Sequence, residues 1–451
     1  MKHLLFLMLL MSFAFAKAQT PRSFTIEEAV SFALDSNYTA INARRDIAKA
    51  IKKKWETTAT GLPQVNAVLD YNYQIRQPTQ LIPAEFSGGE AGTFIPVVFG
   101  TQQNATATAT LTQLIFDGSY LVGLQAAKTF LEFSENANEK TQLEVRKGVI
   151  NAYGAVLLAE ENVSILDRNI ATLQENVRET RIIFENGFAE EEDVEQLQIT
   201  LLSLENQRAN SQRMVTIARQ MFNVAIGLDI EEPIVLVESL ESLAIPAVGL
   251  LNNSVNLDQN VDYKISNNLT EQRELELKLE KSKALPTLGA FINLGTFAGR
   301  NEFNFFDSDR KWFASSITGF SLNIPIFSSG MRNARTAQAE IALQQAQTDR
   351  KQTAQEIYLA YASAKSDHEL AIDNYTTAQK NLRLAERIEN KNQTKFKEGI
   401  SSSFDLRQAQ TQLYQVQQEL LQSMYQMITT KASLETILNV PNYRKDQSPS
   451  K

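Results

Sequence analysis

Between residues 65 and 75 the odd positions read Val, Ala, Leu, Tyr, Tyr and Ile, while the even positions from Gln64 to Arg76 are polar except for Val68. A period of two predicts a strand with one apolar and one polar face. The texture returns at about 105–116, 288–297 and 316–327; in the last, Phe320, Leu322, Ile324 and Ile326 share one face and Ser321 and Asn323 the other. A different period fills most of the chain. Leu166, Ile170, Leu173, Val177, Thr180 and Phe184 step by four and three, which predicts a coiled-coil seam. The seam resumes after Gly187 as Val194, Leu197, Leu201, Leu204, Arg208, Ser211, Val215, Ala218 and Phe222, and again as Leu406, Ala409, Leu413, Val416, Leu420, Ser423, Met427, Thr430 and Leu434. The expected elements are two helices of roughly 65 residues, each about 100 Å long, starting near Ser119 and Met331, each with a returning partner of about 40 residues.

The two halves repeat one another. FENGFAEEEDVEQLQ at 184–198 is echoed by FKEGISSSFDLRQAQ at 396–410, with Phe184/Phe396, Gly187/Gly399, Asp193/Asp405, Gln196/Gln408 and Gln198/Gln410 in register. The same offset aligns Gly118 with Gly330 and Leu228 with Val440, and upstream Leu62-Pro63 pairs with Leu285-Pro286. The expected organisation is a leader at 1–18, a first repeat at 19–230, a linker at 231–260, a second repeat at 261–440 and a tail at 441–451. Gly187 and Gly399 suit the left-handed residue that ends a helix. Glu190 to Asp193 and Ser402 to Asp405 suit the first turn of the next.

Composition sharpens this picture. The 11 prolines leave 97–232 and 326–440 free, which permits very long helices. A net charge of -8 supplies no basic surface, so nucleic acid is not an expected partner. Lys2, an apolar run from Leu4 to Phe15, and Ala16 and Ala18 read as a secretory leader cleaved after Ala18. No later helix is expected to be apolar enough to span a bilayer, so any further membrane contact falls to strands. There is no cysteine, hence no disulfide, thiolate metal site or lipid-bearing cysteine. The two histidines, His3 and His368, form no catalytic constellation, and no glycine-rich phosphate loop occurs, so neither an enzyme nor a bound cofactor or metal is expected. The glutamines of the last helix (Gln408, Gln410, Gln412, Gln415, Gln417, Gln418 and Gln422) fit either a hydrated wall or ordinary solvent-facing helix. Four strands cannot close a barrel that needs about eight, and open edges are not tolerated in lipid. Several copies must therefore contribute, and a dimer of eight strands or a trimer of twelve satisfies the count.

The chain resembles the TolC family of outer-membrane efflux proteins over nearly its whole length. The resemblance rests on FTIEEAVSFALDSNYTAINARRDIAKA, on GLPQVNAVLDYNY with its counterpart ALPTLGAFINLG, on the strand ends LTQLIFDG and SLNIPIFSSG, and on the two tip motifs, in that doubled order. It implies a mixed α and β membrane protein and a homotrimer, with a twelve-stranded outer-membrane barrel to which each protomer gives four strands. The barrel would continue into a periplasmic α-barrel of coiled-coil hairpins. It further implies an exit duct in outer-membrane lipid, docked to a periplasmic adaptor and an inner-membrane transporter, for small-molecule efflux or for type I protein secretion. Asp193 and Asp405 match the acidic position that constricts the entrance in this family, and Gly187-Phe188 and Gly399-Ile400 match the adaptor-docking tips. Where members often carry Tyr, Arg and a second Asp at the second tip, this chain has Phe396, Ser401 and Gln408. Glu190, Glu191 and Glu192 make the first tip more acidic instead. The rival reading is a periplasmic coiled-coil structural or adaptor protein, which would lack the four alternating strands.

Overall fold

The structure, a computed structural model, describes residues 21–441; the leader and the tail from residue 442 onward lie outside them. The chain divides into two compact units, one made of Met1–Ala48, Phe133–Asn267 and Asp349–Lys451, the other of Lys49–Glu132 and Asn268–Thr348. Each unit draws on both repeats.

The first unit contains two helical hairpins. Helix α3 (Gly118–Glu185) enters it at Phe133 and turns back into α4 (Glu191–Ile226); α7 (Met331–Lys397) enters at Asp349 and turns back into α8 (Ser403–Ile437). The heptad seam is buried as expected: Leu173 and Leu197 are fully inaccessible, and Leu166, Ile170, Val177 and Leu204 pack with them. Leu413, Val416 and Ala385 form the corresponding seam of the second hairpin. The main core lies at the other end, where Tyr153, Phe222, Ile226 and Met427 are buried with Ala29 and Ala33 of α1 (Ile26–Ser36). Here β1 (Arg22–Phe24) runs parallel to β6 (Ile234–Leu236), and the Tyr153 hydroxyl donates to the Phe24 carbonyl at 3.0 Å. The segment after β6 adds the short helix α5 (Leu240–Leu243) and a 3-10 turn at Val248–Asn252.

This unit departs from the sequence pattern in two ways. The stretch FTIEEAVSFALDSNYTAINARRDIAKA is two helices rather than one: α1 ends at Asn37, whose backbone is extended, and α2 (Tyr38–Ala59) begins beside it. The Asn37 side chain donates to the Ala225 carbonyl at 2.8 Å and accepts from the Thr39 N–H at 2.8 Å, so it caps one helix while tying the break to α4. Gly227, with φ +84°, lies so close to Ser36 that an added Cβ would meet the Ser36 carbonyl oxygen at 2.3 Å. Secondly, α3 does contain an 18-residue window long and apolar enough to cross a membrane. Among its apolar residues Val149, Tyr153 and Val156 are buried in the core, as in the central helix of a soluble domain.

The second unit holds an antiparallel sheet of order β2-β5-β7-β8, built from β2 (Gln64–Tyr73), β5 (Gln103–Phe116), β7 (Thr287–Arg300) and β8 (Phe313–Asn323). Its register sets which side chains share a face. Leu69, Ala107 and Thr296 pair across one row, with Val65, Tyr71, Leu111, Ile292, Leu294 and Phe320 on the same face. The opposite face carries Asn66, Asp70, Thr106, Thr108, Thr110, Thr112 and Asn293, together with Val68, Phe291, Phe297 and Ile317. The fourth strand stops at Asn323 rather than running on to 327, because Pro325 cannot donate to a ladder; its carbonyl accepts from Arg332 at 2.8 Å instead. The long connection from β2 to β5 forms a small hairpin of its own, β3 (Thr79–Pro83) with β4 (Phe94–Val98). Helix α6 (Val261–Ser282) precedes β7.

Candidate functional site at the hairpin tips

Both tips are built the same way. Helix α3 ends in a Schellman turn: Gly187 has φ +77° and donates to the Phe184 carbonyl at 2.8 Å, while the Phe188 N–H reaches the Ile183 carbonyl at 3.0 Å. Helix α7 ends identically, with Gly399 at φ +72° bonded to Phe396 at 3.0 Å and Ile400 bonded to Lys395 at 2.9 Å. Nothing lies within 4 Å of a Cβ added at either glycine, so the backbone angle alone selects glycine there. The turns push Phe188 and Ile400 outward, 85% and 71% exposed. Two bare apolar side chains at matching positions form a projecting knob on each tip.

The returning helices begin with their aspartates at the third position. The Glu190 N–H donates to Asp193 Oδ2 at 3.3 Å, and the Ser402 N–H donates to Asp405 Oδ2 at 3.3 Å. At the second tip the Ser402 hydroxyl also donates to Asp405 at 2.9 Å, and Ser401 adds a bond of 3.3 Å. These hydroxyl and backbone donors from Ser402 hold the exposed Asp405 carboxyl below the usual carboxylate range. Helix capping thus accounts for an acid at both positions. The two acids differ in one respect: Asp193 is half-buried, and its second oxygen accepts from the hydroxyl of Ser403, a buried residue of the other tip. Glu190 is the N-cap of α4, and Glu191 and Glu192 are exposed in its first turn, where the helix dipole favours acids.

The Asp193–Ser403 bond is the lowest rung of a ladder between the hairpins. Lys397 meets Glu179 at 3.1 Å, Gln393 meets Asn176 at 3.5 Å, Asn169 meets Gln417 at 2.8 Å and Gln418 meets Asn162 at 2.7 Å. Asn162, Asn169 and Asn176 are seven residues apart, so they form one stripe along α3. Along this stretch the two hairpins meet through polar side chains, whereas in the main core Met427 of the second packs with Tyr153 and Phe222 of the first. The sequence reading missed this stripe and Ser403; the heptad spacing of the three asparagines was the signal available. The glutamine reading holds for the exposed Gln408, Gln412, Gln415 and Gln422, but Gln410 is buried and Gln417 and Gln418 bond across the seam. Above the ladder, His368 is wholly buried, its Nδ1 3.0 Å from the Thr430 hydroxyl, and burial lowers its proton affinity, assisted by Lys431.

A four-stranded sheet with two open edges, on the same chain as paired helical hairpins, is too small to close a barrel alone. Residues 33–228 and 270–440 match the outer membrane efflux protein family, and the chain belongs to that family. No curated protein matches it in sequence. Its fold is shared with solved channels. The outer membrane protein VceC of Vibrio cholerae is 15% identical with a TM-score of 0.71, over 92% of this chain and 96% of that one. The Campylobacter jejuni outer membrane channel CmeC is 16% identical with a TM-score of 0.71, over 92% and 85% of the two chains. The open-state Neisseria gonorrhoeae channel MtrE is 17% identical with a TM-score of 0.68, over 92% and 88%. By family the protein is an outer membrane efflux protein rather than an enzyme, and it shares its fold with outer-membrane channels.

Proposed function

We propose that this chain forms the exit duct of a tripartite efflux pump, a homotrimer that passively conducts small molecules from the periplasm when docked to an adaptor and an inner-membrane transporter. The observation that carries the reading is the pair of similarly built tips, each presenting a bare apolar knob (Phe188, Ile400) beside a helix start capped through an aspartate. Three protomers would set six such tips around one entrance. The knobs at Gly187-Phe188 and Gly399-Ile400 offer an adaptor hairpin an apolar foothold, and Asp193 and Asp405, supplemented by Glu190, Glu191 and Glu192, would form acidic rings that favour cations. Among the described residues no His, Cys, Asp and Glu cluster could hold a metal, and neither metal nor cofactor has a part in the reading. Asp193 has a second task, holding the two hairpins together through Ser403.

The test is single-channel conductance of the purified protein in a planar bilayer, with its oligomer mass measured alongside. A trimer with small, cation-selective, mostly closed currents is expected. Asp193→Asn with Asp405→Asn keeps the capping geometry and removes the charge, so it should abolish most of the cation preference. A monomer without conductance would move the protein to the periplasmic coiled-coil class. Unchanged selectivity in the double variant would remove the ring role alone.

A further inference from the structure

The connection between β7 and β8, residues 301–312, turns back onto the sheet. Tyr71, Ala105 and Ala298 are paired neighbours in one row of the apolar face. Phe305 covers this row and is 4% exposed, packed with Ala105, Ala298 and Trp312. Its ring meets Tyr71 edge-on at 5.8 Å and Trp312 at 6.2 Å, and the Trp312 indole N–H donates to the Phe305 carbonyl at 3.1 Å. Arg300 clamps the base of the loop through the Lys311 carbonyl at 2.8 Å. This fixed platform carries two further rings. Phe303 packs edge-on against Tyr71 at 5.8 Å and Phe306 against Phe303 at 6.2 Å, yet they stay 64% and 87% exposed.

A water-facing loop that already buries one phenylalanine has no reason to hold two more outward from an apolar face. Their height on the sheet supplies the reason. From Leu288 to Ala298 the apolar face of β7 spans ten residues, about 34 Å along the strand at roughly 3.4 Å each. At a tilt of about 45° that is an apolar band about 24 Å tall, close to the roughly 25 Å of an outer-membrane barrel. The Tyr71–Ala298 row thus marks the band's far edge, away from the helices, where interfacial aromatic residues concentrate. We propose that the 301–312 loop is an outer-leaflet lipid anchor, in which Phe303 and Phe306 insert at the boundary of acyl chains and headgroups, held there by the Tyr71–Phe305–Trp312 stack. The occupant is lipid because Phe303 and Phe306 adjoin, through Tyr71, the end row of the apolar face. The inference rests on the apolar face being the lipid-facing one.

The absence of native cysteine makes the test direct. Phe306→Cys, at a site too exposed to disturb folding, is spin-labelled in the full-length protein. It is reconstituted into phosphatidylcholine–phosphatidylglycerol vesicles, and its accessibility to oxygen and to a water-soluble nickel chelate is compared. Leu294→Cys on the mid-sheet apolar face and Glu90→Cys in the β3–β4 connection serve as references. The anchor predicts an oxygen-to-nickel ratio at 306 between the two references, clearly above that at 90 and below that at 294. A ratio at 306 like that at 90 overturns the anchor, and so does shielding from both reagents, which would place the loop against a second copy. If 294 is also open to nickel, the lipid-facing assignment of the sheet falls with it. In a Trp55→Phe variant Trp312 is the sole tryptophan, and lipids brominated near the headgroup should quench it more than lipids brominated at the chain end. The reverse order would count against the anchor.

Discussion

Asp193 and Asp405 show how a repeated residue can diverge while its local structure stays fixed. Both close a capping arrangement, but only Asp193 reaches across to Ser403. Aspartate three residues into a helix was readable from the motif; the partner was not, because Ser403 is one of three consecutive serines and local spacing cannot say which one turns inward. His368 poses the same problem. It stands where the first repeat has Val156, also fully buried, so the fold asks only for bulk at that position. Its Nε2 has no hydrogen-bond partner among the described residues, and its charged form faces Lys431 as well as Glu435. Because burial lowers the folded value, the unfolded chain takes the proton first. Stability is then complete above the ordinary value of 6.5 and is lost as pH falls through the folded value. Replacing His368 with Val should flatten this part of the stability–pH curve without lowering stability at neutral pH. Urea melts of the full protein at about pH 7.5 and about pH 5 would show it. An unaltered pH slope would mean the imidazole is not the group that titrates.

At the scale of elements, what the sequence made legible was what depends on near neighbours. Heptad positions such as Leu173, Leu197 and Leu434 are buried as their spacing requires, and the two left-handed glycines sit where the helices turn. The break at Asn37 was not legible, because the carbonyl that receives its side chain belongs to Ala225, 188 residues away. The polar ladder lay between these cases, with its α3 side periodic and its α8 side hidden among many glutamines. Along the ladder a seam of amides joins the two hairpins through hydrogen bonds rather than apolar packing. Asn169→Leu alone leaves Gln417 facing an apolar group and should cost about 1–3 kcal/mol, whereas adding Gln417→Leu should recover most of it. The double variant is expected to open less often in single-channel records. A thermal-melt double-mutant cycle with no coupling would remove the Asn169–Gln417 rung from the account.

For the molecule as a whole, the family and the tandem repeat were visible in the order of motifs, and four strands were visible in their alternation. Hidden were the small β3–β4 hairpin and the parallel β1–β6 pair, which consist of segments too short to show a period. The faces of the sheet make opposite demands on the same substitution. Leu294→Arg, near mid-height on the apolar face, should cost about 2–4 kcal/mol of folding into lipid, while Thr108→Arg on the polar face should cost little. Heat-resistant oligomer on unboiled gels would report both, and equal losses would argue that the faces are assigned the wrong way round.

The two open edges of the sheet also set the genetics of the protein. A chain whose strands still pair but whose tips fail is not silently lost. In the proposed trimer it takes a place beside sound subunits and spoils the whole ring. In a threefold assembly the share of wholly sound rings falls as the cube of the sound fraction, so such alleles should behave as dominant when co-expressed with the wild type. A chain damaged in β2 or β8 never joins, harms only itself, and should behave as recessive.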